Sequence, residues 1–114
     1  MSDTIRVFLK RPGEKGFVPG VIPNTLEGLQ KAVGGNIETL TLPGGVVAIL
    51  NEAGRLEHMP YNFSVMGIDL VGPVVLAGVD GPEFADVPLT NAKHAKAYIQ
   101  SINRFPGPGR RGRR

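Results

Sequence analysis

Few residues of this 114-residue chain are of the types that catalyse reactions. The chain has no cysteine and two histidines, His58 and His94, and neither histidine has a partner at a spacing typical of metal ligands. No serine stands in a Gly-x-Ser-x-Gly pattern, and the 16 glycines form no phosphate-binding or dinucleotide-binding fingerprint. We therefore expect a protein that is not an enzyme and that holds neither a metal nor a cofactor.

Two carboxylates form the remaining candidate for acid–base chemistry. Glu52 and Glu57 are five positions apart, and such a pair can act as a general acid and a general base. A solvated hairpin around 51–54 accounts for them better, because Asn and Gly favour a turn there. A small hydrolase that uses Glu52 or His58 is thus the least favoured hypothesis.

A more specific candidate is a ligand pocket around the segment 58–63, which reads His-Met-Pro-Tyr-Asn-Phe. Tyr61 could stack on a base, and Asn62 could bind an amide or a base edge. The alternative is structural, with Met59 and Phe63 in the core and Asn62 capping a helical turn. In the pocket hypothesis, three basic residues are available to join Tyr61 and Asn62: Arg55, Arg6 and Lys10.

The positive charge of the chain lies at its C-terminal end. The formal net charge is +3, yet residues 1–103 hold eight Lys and Arg against ten Asp and Glu, a net charge of −2. Residues 106–114 consist of Pro, Gly and Arg alone, so we expect a disordered tail there. Such a tail can contact nucleic-acid phosphates, or it can serve as a solubilising terminus without a specific partner. The candidate phosphate contacts are Arg110, Arg111, Arg113 and Arg114.

Hydrophobic periodicity predicts an α+β fold with a mixed, mostly antiparallel sheet and two helices packed on one face. Strands are expected at 4–9, 17–22, 37–42 and 46–50, and over 68–79 with an interruption at Gly72-Pro73. One helix should start at Asn24 and end at Gly34-Gly35, and a second should run from Thr90 to about 103. Residues 58–67 are expected to be irregular or to form one helical turn. Residues 1–105 would form one globular domain.

The sequence also predicts the localisation and the oligomeric state of the protein. The first six residues do not resemble a signal peptide, and the apolar runs are far shorter than the ~20 residues that span a bilayer. We expect a soluble, intracellular protein. The strand 17–22 is expected at a sheet edge, where it could pair across a two-fold axis to form a homo-oligomer.

Three blocks of the chain resemble a small family of unknown function that bacteriophages, plasmids and other mobile elements encode. They are 25–30 (TLEGLQ) with 33–38 (VGGNIE), then 51–56 (NEAGRL) with 60–62 (PYN), and the apolar stretch 68–80. The resemblance covers roughly residues 5–90. It implies a setting, that of a phage or mobile-element accessory protein in the bacterial cytoplasm, and it implies no activity, because the family offers no established catalytic residues.

Together these observations favour a non-enzymatic accessory protein of a phage or mobile element that acts by binding. Its partner would be a host protein or a small nucleotide signal, with counter-defence as one role. The alternative is a nucleic-acid-binding accessory factor that uses the Arg-rich tail.

Overall fold

The structure, a computed structural model, describes residues 3–103 of the chain. The predicted Arg-rich tail, 106–114, lies outside the described residues, so its four candidate arginines do too. The described part contains eight strands and two helices: β1 (Thr4–Lys10), β2 (Val18–Pro23), α1 (Leu26–Val33), β3 (Ile37–Leu42), β4 (Val46–Asn51), β5 (Tyr61–Val65), β6 (Ile68–Val71), β7 (Val74–Asp80), β8 (Glu83–Ala85) and α2 (Leu89–Ile102).

Six of the strands form one sheet. Its strand order is β2-β1-β7-β4-β3, and β8 pairs with the end of β7, whereas β5 and β6 form a separate hairpin. Every strand pairing in the described part is antiparallel. The α+β class and the mostly antiparallel sheet are confirmed, while the parallel pair that a mixed sheet requires is not found among residues 3–103.

β4 and β7 lie next to each other in the middle of this sheet. β4 and β7 pair from Val46 opposite Gly78 to Ile49 opposite Val75. Four consecutive residues of β4, Val46 to Ile49, are buried. A continuous apolar run of this kind is typical of a strand that is covered on both faces.

The two helices do not share a face of the sheet, so this part of the prediction is not confirmed. In β4, Val46 and Ala48 belong to the core cluster that contains Ile99 of α2, whereas Val47 and Ile49 belong to the cluster that contains Leu29 of α1. Successive strand residues point to opposite faces, so the two clusters lie on opposite sides of the sheet. The physical reason is that a sheet with two apolar faces needs a cover on each.

The hairpin of β5 and β6 completes the cover on the α2 side. Residues 61–65 are a strand where irregular chain was predicted, and Phe63 and Val65 are buried in the same cluster as Ile99. The predicted single strand over 68–79 is instead two strands in different sheets. Gly72 separates them, because its φ of 74° turns the chain and its N–H donates to the carbonyl of Pro60.

The start of each helix also differs from the prediction. Thr25, and not Asn24, caps α1, and its hydroxyl accepts a hydrogen bond from the N–H of Gly28 at 2.9 Å. Gly28 lies so close to β2 that an added Cβ would come within 2.6 Å of the Pro23 carbonyl oxygen. At α2 the cap position is Pro88, without a side-chain hydrogen bond, so Thr90 lies inside the helix.

Candidate functional site

Two of the five predicted pocket residues meet in a buried polar cluster. The ammonium Nζ of Lys10, at the end of β1, donates to the side-chain oxygen of Asn62 at 2.7 Å. The amide nitrogen of Asn62 donates in turn to the carbonyls of Lys10 and Gly72, each at 2.8 Å. Asn62 is 8% exposed and Lys10 is 9% exposed. The cluster fixes the β5–β6 hairpin to the sheet, and it leaves the amide of Asn62 no free donor for a ligand.

An aromatic ring lies beside the Lys10 ammonium. Its Nζ lies 6.0 Å from the ring centre of Phe63, and that ring meets Phe17 edge-on at 5.5 Å. Burial lowers the pKa of Lys10, and the carboxylate of Glu14 acts against this shift. The hydrogen bond to Asn62 therefore gives the Lys10 ammonium a partner within the fold, and this contact does not require a bound ligand.

Tyr61 is half exposed, but its hydroxyl is engaged at the C-terminal end of α2. It donates to the Ser64 hydroxyl at 2.7 Å, and the side-chain oxygen of Asn103 lies 3.3 Å from it. Asn103 also accepts from the N–H of Ser64 and donates to the Ser64 carbonyl. Ser64 completes the cluster through its bond to Asp69 at 2.5 Å. These contacts attach α2 to the hairpin.

Arg6 holds the segment that precedes α2. Its guanidinium pairs with Asp86 at 3.3 Å, and its backbone N–H donates to the same carboxylate at 2.8 Å. The N–H of Val87 donates to the carbonyl of Arg6 at 2.9 Å. Arg6 lines a small apolar depression of about 240 Å³ near Phe8 and Val21, away from Lys10 and Asn62.

Arg55 lies at a larger opening, which we call the β3–β6 cleft. This cleft has a volume of about 330 Å³ and lies where the end of β6 packs over β3 and β4. The guanidinium of Arg55 donates to the backbone carbonyl of Asp69 in β6 at 2.6 Å. Arg55 therefore links the loop after β4 to the strand on the other side of the opening.

The cleft combines an apolar interior with an acidic rim. Leu40 and Leu50, both half-buried, belong to its lining, and so does Leu70. Two of its apolar side chains are exposed: Leu56 is 84% exposed and Ile68 is 38% exposed. Three carboxylates complete the lining: Glu38, Glu52 and Asp69.

Charges around the cleft favour a cationic group in it. Among the described residues that line it, Arg55 is the one cation against three carboxylates. The Arg55 guanidinium is already hydrogen-bonded to a backbone carbonyl, whereas Glu38 and Glu52 are exposed and make no ion pair within the described residues. A phosphate group would meet net repulsion here, and an ammonium or guanidinium would meet net attraction.

The five predicted pocket residues therefore do not surround one cavity. Lys10 and Asn62 are together, while Tyr61, Arg6 and Arg55 each lie at a different place. The sequence analysis missed Leu56, Ile68 and Asp69 at the cleft. One signal could have located the hairpin that carries the last two: Gly67 lies in the two-residue turn Met66-Gly67, where both residues have positive φ, and glycine favours such turns.

The candidate acid–base and metal-binding residues are not clustered. His58 and His94 are both exposed, one in the loop after β4 and the other on α2. Glu52 and Glu57 are exposed in the loop that follows β4. Among residues 3–103, no three His, Asp or Glu side chains lie together in a way that could hold a metal ion. No helix in this part of the chain has the length and apolar character needed to cross a membrane.

Fold and site define a small α+β domain with an antiparallel sheet covered on both faces and a cleft of about 330 Å³ between β3 and β6. The family comparison matches residues 5–100 to a domain of unknown function, DUF3846, and the chain belongs to this family. No curated protein and no solved structure matches the chain.

Proposed function

We propose that this protein is a non-enzymatic binding protein and that its β3–β6 cleft takes up a segment of a partner protein. The observation that carries the proposal is the exposed Leu56 beside an acidic rim, over a half-buried floor of Leu40 and Leu50. The setting we propose is that of an accessory protein of a phage or mobile element, in the bacterial cytoplasm. Blocking a host defence protein is the role that fits such a setting.

The size and lining of the cleft support a peptide segment as the ligand. A volume of about 330 Å³ accommodates a few side chains. Leu56 and Ile68 provide apolar contact area that is exposed in the free chain. Burying such side chains contributes roughly 25 cal/mol per Å² of apolar area, so they are the natural anchors.

The charge of the rim supports a basic segment over a nucleotide. Glu38, Glu52 and Asp69 would pair with Lys or Arg side chains of the partner. The same carboxylates would repel the phosphates of a nucleotide signal. Tyr61 and Asn62, the residues proposed to stack on and bind a base, are outside the cleft lining. A nucleotide ligand thus remains the weaker of the two proposals.

A selection of random 12-residue peptides from a display library tests the proposal. Peptides that bind should carry a basic residue next to an aliphatic one, and Leu56→Asp should weaken their binding at least tenfold. The exposed Leu26 on α1, on the opposite side of the sheet, provides the matched control variant Leu26→Asp, which should bind as the unchanged chain does.

Further variants test the contribution of the acidic rim and the alternative that the ligand is a nucleotide. Glu52→Gln should weaken the selected basic peptides, and increasingly so at low salt. If the selected peptides bind Leu56→Asp with the same affinity as the unchanged chain, the cleft is refuted as the binding site. Thermal stabilisation by ADP-ribose or a cyclic nucleotide that is lost in Arg55→Gln would establish the nucleotide proposal in its place.

The charge distribution of the sequence favours a second candidate function, nucleic-acid binding through residues 106–114. Four arginines lie in this segment, which is outside the described residues. If they neutralise phosphates, binding to duplex DNA should fall with salt at a log–log slope of at most about −4. Deleting 106–114 should abolish that binding and leave the unfolding midpoint unchanged. Binding that persists after the deletion would refute this candidate.

A further inference from the structure

The path β2-β1-β7-β4-β3 of the six-stranded sheet ends in β2 and β3, and the three-residue β8 pairs with the end of β7. An end strand presents unpaired backbone N–H and C=O groups, and these can pair with another strand. Which groups face outward follows from the register of each end strand with its neighbour, because hydrogen-bonded and non-hydrogen-bonded pairs alternate along an antiparallel ladder.

The edge of β2 is blocked by prolines. The N–H of Asn24 donates to the carbonyl of Asp3, so the hydrogen-bonded pairs alternate from there along β1 and β2. The backbone groups of Pro19, Val21 and Pro23 therefore face outward. Since proline has no N–H, two of these three outward positions lack a donor. The predicted pairing of two copies through 17–22 is physically disfavoured for this reason.

The edge of β3 carries no such block. The N–H of Glu52 donates to the carbonyl of Asn36, which places the backbone groups of Ile37, Thr39 and Thr41 on the outward side. All three have an N–H, and Thr39 and Thr41 are exposed. Natural edge strands are protected by proline and by charged side chains, and Ile37–Leu42 contains no proline and a single charged residue, Glu38.

We propose that β3 pairs with the β3 of a second copy of this chain, antiparallel and about a two-fold axis at Thr39. In this register Thr39 lies opposite Thr39, Ile37 opposite Thr41, and Glu38 opposite Leu40. β-Branched residues pair favourably across strands, and no two like charges face each other. The sequence of the strand is thus complementary to itself, which is why a second copy is the occupant that fits this edge.

The pairing would also extend the β3–β6 cleft. Glu38 and Leu40 line the cleft from the face of β3 that turns toward β6. Residues opposite each other in a ladder project from the same face, so Leu40 of the second copy would continue the apolar lining beside Glu38. Two clefts would then lie side by side across the axis. The pairing itself does not depend on what the cleft binds.

Single-cysteine variants test the contact directly, because the chain contains no cysteine of its own. Thr39→Cys would place two thiols opposite each other at a Cα separation of about 5.5 Å, within the range of about 4.4–6.8 Å that a disulfide requires. Under mild oxidation we expect a covalent dimer. Val21→Cys, at an outward position of the other edge, is the matched control and should stay monomeric. Equal cross-linking of the two variants, or none in Thr39→Cys, would overturn the proposal.

Light scattering after size-exclusion chromatography measures the molar mass and so provides an independent test of the dimer. The unchanged chain should be a dimer at tens of micromolar and Thr39→Pro a monomer, since proline removes the central outward donor. Strands at an edge accept proline at outward positions, as Pro19 and Pro23 of β2 do. Val21→Pro should leave the dimer intact. A monomeric unchanged chain at that concentration would refute the pairing whether or not the variants fold.

Discussion

At the residue scale, the most informative side chains are the buried polar ones. Asn62 uses its oxygen for the ammonium of Lys10 and its nitrogen for two carbonyls, so every hydrogen bond it makes is internal. Leaving a buried polar group unpaired costs about 1–3 kcal/mol, and this explains why both residues are held together. Their residue types predicted ligand binding, and their hydrogen bonds in the structure connect the hairpin to the sheet.

The pH dependence of stability should report the burial of Lys10. Because its pKa is lowered in the folded chain, the unfolded chain binds the proton more tightly, so the charged side chain destabilises the fold below that folded pKa. This penalty fades as the pH rises toward the ordinary lysine value near 10.5. The free energy of unfolding of the unchanged chain, relative to that of Lys10→Met, should therefore increase between neutral pH and about pH 10.

Denaturant unfolding at both pH values measures this difference. Lys93→Met, which changes an exposed lysine on α2, controls for the loss of one positive charge. If the free energy of unfolding of the unchanged chain minus that of Lys10→Met stays constant or falls as the pH rises, the assignment of Lys10 as a buried cation is contradicted.

At the element scale, the strands with regular patterns were predictable and β5 was not. The alternation of β1 and the apolar run of β4 led to correct strands because each pattern reflects a single environment along its length. In β5 the register shifts between Tyr61 and Phe63, so Asn62 and Phe63 are both buried. An irregularity of this kind destroys the period-two pattern, and the sequence looked irregular as a result.

The candidate site was less predictable than the elements, and the reason is packing. Leu56 and Ile68 come from the loop after β4 and from β6, and they line one cleft because the hairpin packs across β3 and β4. Both residues are aliphatic, and an aliphatic residue does not by its type indicate a binding site in a sequence. The charged residues that did stand out, Arg6 and Arg55, are engaged with Asp86 and with the Asp69 carbonyl.

At the scale of the whole molecule, the sheet joins two apolar clusters into one folded unit. β7 contributes Val74 and Leu76 to the cluster on the α2 side, and Val75 and Ala77 to the cluster on the α1 side. Both clusters therefore depend on the same strand. A domain of this size usually unfolds in one cooperative step, and a shared central strand gives that cooperativity a structural cause.

Shortening one central side chain should therefore weaken both faces together. Leu76 is fully buried among residues of the α2 side, so Leu76→Ala should lower the free energy of unfolding by about 2–5 kcal/mol. Hydrogen exchange of backbone amides measures the effect separately in α1 and α2. We expect the slowest amides of both helices to lose the same amount of protection, although Leu76 belongs to the cluster of α2 alone, because global unfolding governs their exchange. Leu56→Ala, at a residue 84% exposed, should change protection by less than about 0.5 kcal/mol. Protection that is lost in α2 and kept in α1 would mean that the two faces unfold independently.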